Sequence, residues 1–178
     1  MSSPCDPVHA PVGDVGAALM MVDSRLKSIH GDRIDTDPEQ QELTDRFVAS
    51  LGPEGAAAVL DGACTLILLF MEWLRVAYAE HGMDAIERVV PDLVATLRGM
   101  PVSIRPEAIP TMAGLVVAAG TGLSPSLWRA QYGSWTEDEM TPLEATAFLL
   151  AAHINHLTDD PDFATRMIAD TLSASDRD

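Results

Sequence analysis

The sequence predicts an all-α fold, a single compact bundle of seven or eight helices around a central apolar helix at about 54–81. Three observations predict it. First, TDPEQ, LGPEG, IRPEA, LSPSL, MTPLE and DDPDF each place a proline ahead of a helix-forming segment. The first helical position suits proline, because its missing N–H would be unpaired there and its φ is already helical. In four of the six, Asp, Ser or Thr precedes the proline and can accept bonds from the first exposed amides. Second, apolar residues after each start recur at helical spacing, and alternating β-branched runs are absent. Third, 178 residues with 47% apolar content are enough for one buried core.

The elements follow in order. Residues 1–12 read as a disordered tail, 13–173 as one helical domain, and 174–178 as a second tail. A first helix at about 14–30 puts Val15, Leu19, Val22, Leu26 and Ile29 on one face. A second, at about 38–51, carries Leu43, Phe47, Val48 and Leu51. Pro53 opens the third, at about 54–81. A fourth runs through about 84–98 with Ile86, Val89, Leu93 and Leu97 in register, and Pro91 is expected to kink it without breaking it. The fifth covers about 107–120, the sixth 125–132, the seventh 142–158 and the last 161–173, whose inner face is Phe163, Met167, Ile168 and Leu172.

The third helix has the thinnest polar stripe. At 100° per residue, Asp61, Thr65, Leu68, Glu72 and Arg75 share one narrow sector, and nearly everything else is apolar or small. Such a helix is wrapped by neighbours on most sides. Its apolar run, GACTLILLFM, is shorter than the roughly 20 residues a bilayer requires, so it reads as a core helix. No secretory signal is evident in MSSPCDPVHAPVGD, and a cytoplasmic location is the default.

Charge excludes some kinds of work. With 27 acids against 11 bases, the net charge is −16, which repels both nucleic-acid phosphates and anionic membrane surfaces. A basic protein partner, or mimicry of DNA, stays open. Cys5 and Cys64 have no disulfide or zinc spacing, and Cys64, amid apolar neighbours, is expected to be inert. No serine lies in a nucleophile elbow, and a lone G-x-G at Gly120 and Gly122 has no phosphate-loop context. The acidic turn Glu137, Asp138, Glu139 lacks the alternating ligands and glycine of a calcium loop and reads as N-terminal charge for the next helix.

Two constellations remain. His153 and His156 lie about 180° and 120° around the seventh helix from Glu144, beside its apolar face and away from its polar face at Glu144, Asn155 and Thr158. No Glu-x-x-His occurs, so a pocket there would need Asp61 or Glu72 from the third helix. No metal or cofactor is expected. Trp128, Arg129, Tyr132 and Trp135 form the second constellation, with Gly133 stopping the helix and turning Trp135 back over its end. They make either a recognition surface, since Trp, Tyr and Arg are common interface anchors, or an aromatic plug at a half-wet boundary. The expected function is a non-catalytic interaction or regulatory protein that binds itself or another protein. The alternative is a small-molecule binder or enzyme with an inter-helix pocket around Asp61, Glu72, His153 and His156.

Overall fold

The computed structural model describes residues 11–30, 38–100 and 104–175. Within them every regular element is helical: α1 (Val12–His30), α2 (Pro38–Ala79), α3 (Ala85–Arg98), α4 (Ile109–Gly120), α5 (Pro125–Ala130), α6 (Met140–Thr158) and α7 (Phe163–Ser175). Short 3-10 turns at Pro106–Ala108 and Glu137–Glu139 lead into α4 and α6. The tail expected at 1–12 lies outside the described residues as far as position 10. So do Cys5, residues 176–178, and the side chains of Ile29, Leu43, Phe47, Val48 and Leu51.

The second and third expected helices are one. α2 runs for 42 residues straight through Pro53, about 63 Å at 1.5 Å per residue. Proline's φ is the same at a helix start and in a helix interior, so the sequence around Pro53 reads as a start although the chain continues through it. Pro91 likewise stays inside α3. Pro38 and Pro125 do open their helices, Pro106 opens the turn before α4, and Pro142 is the third residue of α6.

α2 is the axis, and it meets each of the other six α-helices. Leu66, Ile67, Phe70, Met71 and Leu74 are fully buried in one contiguous core with Val15, Val22, Leu97, Met112, Leu115, Leu143, Leu150 and Ile168. Each such side chain contributes roughly 1.5–3 kcal/mol on burial. Gly55–Ala79 is long and apolar enough to cross a bilayer by length and composition, yet 61% of its most apolar window is buried within this fold. The expected polar stripe is exposed only at its C-terminal end, at Glu72 and Arg75. Thr65 and Leu68 are buried, because α5 and the chain after it cover that part of α2.

Local contacts fix the neighbours. The Asp84 side chain caps α3, accepting from the N–H groups of Ile86 and Glu87. Gly62 lets the backbone of α1 at Asp14 come so close that no Cβ would fit. Asn155, expected on the polar face of its helix, is instead buried. Its Nδ2 donates to the Pro161 carbonyl at 2.6 Å, and its Oδ1 accepts from the Ala164 N–H at 2.8 Å. A polar side chain at a helix end is drawn inward here because the start of α7 offers it an unpaired amide.

Candidate functional site

The first candidate is the segment from the end of α4 to the start of α6. Gly122, at φ +84°, ends α4 in the left-handed conformation, and the Ser124 Oγ accepts from the Leu127 N–H at 3.3 Å to start α5. α5 stops at Ala130, and Gly133, at φ +100°, reverses the chain. Trp135 then comes back over Arg129, whose guanidinium carbon lies 4.7 Å from its ring centroid.

Arg129 organises this turn. It is 5% exposed, so its charge is met inside the protein. Nε donates to Glu139 Oε1 at 2.8 Å and Nη2 to Oε2 at 2.6 Å, while Nη1 and Nη2 donate to the carbonyls of Gly133 and Ser134 at 2.9 and 3.1 Å. The Thr136 N–H and hydroxyl also donate to Glu139 Oε2. Burial pushes the Glu139 carboxyl up, but these donors outweigh it and hold its pKa below the ordinary value. The acidic turn is therefore divided. Glu139 points into the turn, whereas Asp138 pairs with Arg105 at the surface at 3.2 Å.

The aromatic residues divide too. The Trp128 indole fills the space above Gly114 on α4, where an added Cβ would collide with its ring. Trp135 is half-buried and donates from Nε1 to Asp61 Oδ1 at 3.4 Å. Tyr132 packs its ring 5.2 Å from that of Trp128, yet remains 68% exposed. Leu123 and Leu127, in the same segment, are 59% and 47% exposed. Trp128, Arg129 and Trp135 thus form the anchored underside, and Leu123, Leu127 and Tyr132 form the outer surface. Cys64 lies beneath the segment, buried, with its thiol pushed up to about 12 chiefly by desolvation.

The second candidate is a cleft of about 200 Å³ between α3 and α6, lined in part by Asp92, Thr96, Leu149 and His153. The Tyr78 hydroxyl on α2 is 2.7 Å from His153 Nε2 and fixes the ring. Burial lowers the His153 pKa, the Asp92 carboxylate raises it, and His156 lowers it further. Of the four residues proposed for a pocket, only His153 lines this cleft. His156 is exposed, Asp61 is engaged with Trp135, and Glu72 is exposed on α2 about 16 Å along the helix axis from Asp61. Among the described residues, no three His, Cys, Asp or Glu side chains gather as metal ligands would.

Sequence reasoning missed the Arg129–Glu139 pair and the Tyr78–His153 bond. A signal existed for the first, since a lone arginine amid aromatic residues, followed by a glycine turn and a run of acids, places a partner within reach. Comparison with protein-family models, curated proteins and solved structures finds no match for this chain.

Proposed function

We propose that this chain is a non-catalytic, cytoplasmic interaction protein whose α5 segment docks onto another protein or onto a second copy of the chain. One observation carries this reading. Leu123, Leu127 and Tyr132 are held outward on a segment whose underside is clamped by Arg129, so the surface is presented without needing to be ordered first. Preorganisation of this kind lowers the entropic cost of association. Large exposed apolar groups gathered on one short segment are also the usual mark of an interface.

The test is association measured by sedimentation velocity across a concentration series, alone and with a cell extract fraction that retains the protein. Leu127→Glu and Tyr132→Ala should each abolish the associated species while leaving the thermal midpoint within a few degrees of the parent. If both variants associate as the parent does, the α5 segment is not the contact.

A further inference from the structure

We propose that His153 is a proton-operated latch on the corner between α2 and α3, held by Tyr78 on α2 when neutral and drawn to Asp92 on α3 when protonated. Two partners compete for one imidazole. The Tyr78 hydroxyl lies 2.7 Å from Nε2, and both side chains belong to half-buried residues. Asp92 lines the same cleft as His153, and at about 200 Å³ that cleft leaves room for the ring to turn. A neutral imidazole that accepts the Tyr78 proton at Nε2 carries its own proton on Nδ1.

Protonation inverts this preference. Both ring nitrogens then donate, so the Tyr78 hydroxyl loses its acceptor, whereas the Asp92 carboxylate is acceptor-only and offers a charge-assisted bond. Burial disfavours the imidazolium, Asp92 favours it, and His156 on the same helix opposes it. Arg88 acts on Tyr78 from α3, and α4 carries no charged or titratable residue. The corner itself hangs on Tyr78. Its carbonyl accepts from the N–H groups of His81 and Met83, each at 3.0 Å, around Gly82 at φ +68°. Releasing the Tyr78 side chain therefore loosens the turn that leads to the Asp84 cap of α3. This device is separate from α5, so it stands or falls independently of the docking surface.

The experiment is an NMR titration of the isotope-labelled full chain, lowering the pH from 8 until the His153 ring has taken up its proton. Hydrogen exchange at the His81 and Met83 amides is followed alongside, corrected for intrinsic exchange. Their protection should fall about 2- to 12-fold, the worth of one hydrogen bond, with the midpoint of the His153 ring. His81 stands on the same corner, its Nδ1 3.1 Å from the Ala77 carbonyl, and His153→Gln separates its response. Protection in His153→Gln should not follow the parent's transition, and in Tyr78→Phe it should already be low at pH 8. Asp92→Asn should move the ring midpoint and the loosening together to lower pH. The proposal is overturned if corner protection is unchanged while His153 titrates, or if His153→Gln loosens as the parent does. It is equally overturned if Asp92→Asn leaves the midpoint in place, or if His153 takes up its proton only when the whole chain unfolds.

Discussion

Arg129 and Glu139 are joined by two parallel bonds, Nε to Oε1 at 2.8 Å and Nη2 to Oε2 at 2.6 Å, across the reversal at Gly133. The side chains are 6% and 14% exposed. This pair sets the path of the chain between α5 and α6. Removing one partner from a buried pair strands the other, at a cost of about 3–5 kcal/mol. Glu139→Gln should therefore destabilise the protein by about that amount in chemical denaturation, and Arg129→Lys should not rescue the geometry, since a lysine cannot make both bonds. The folded-state pKa of Glu139 is depressed, so its stabilisation is complete above the ordinary carboxyl value of 4.5 and is lost as pH falls through the lower folded value. The acid limb of the stability curve should shrink in Glu139→Gln.

Two glycine-to-alanine substitutions should act in opposite directions. At Gly16 in α1 an added Cβ meets nothing within 4 Å, so the lower entropy of the unfolded chain dominates and stability should rise by about 0.5–1 kcal/mol. At Gly62 the Cβ would enter the backbone of Asp14, a neighbour that cannot rotate away. Overpacking of that kind costs typically 1–3 kcal/mol, which exceeds the helix-propensity gain. Thermal melts of the two variants side by side check the contrast.

Asn155 links the end of α6 to the start of α7. Replacing it with Ala leaves the buried Ala164 N–H without its acceptor and the Pro161 carbonyl without its donor, at about 1–3 kcal/mol. Asn155→Asp should be nearly as damaging. It keeps an acceptor for Ala164 but sets a carboxylate against the Pro161 carbonyl. Faster hydrogen exchange at the Ala164 amide is the local readout.

His153 should titrate below its ordinary 6.5 when followed by NMR, with its resonance identified in a His153→Gln variant. Between the folded and unfolded values the unfolded chain holds more protons, so stability falls as pH drops through that window. Tyr78→Phe, which removes the 2.7 Å partner of Nε2, should cost about 0.5–1.5 kcal/mol.

Native Cys64 should resist iodoacetamide at pH 8, because the reactive thiolate is absent when the thiol is pushed up to about 12. It should label only on unfolding, as peptide mass mapping would report.

The all-helical class and the central position of α2 were legible because apolar periodicity and proline placement are local properties of the chain. The return of Trp135 after Gly133 was legible for the same reason, since a glycine after a short helix marks a reversal. Pro53 misled, because proline's φ does not distinguish a helix start from an interior. Asn155 misled because a helical wheel gives its angle and not the neighbour that arrives at that angle, here α7 with an unpaired amide. The polar stripe of α2 was drawn correctly as a sector, but the burial of Thr65 and Leu68 and the bond from Trp135 to Asp61 are tertiary events. The pairing of His153 with Tyr78, 75 residues away, has no local sign at all.

The first measurement to make is native-state hydrogen exchange along α2. If α2 is the buried axis, the amides of Leu66–Leu74 should be the slowest in the protein and should exchange only through global unfolding. Exchange there as fast as in α7, on the periphery, would contradict an architecture built around α2.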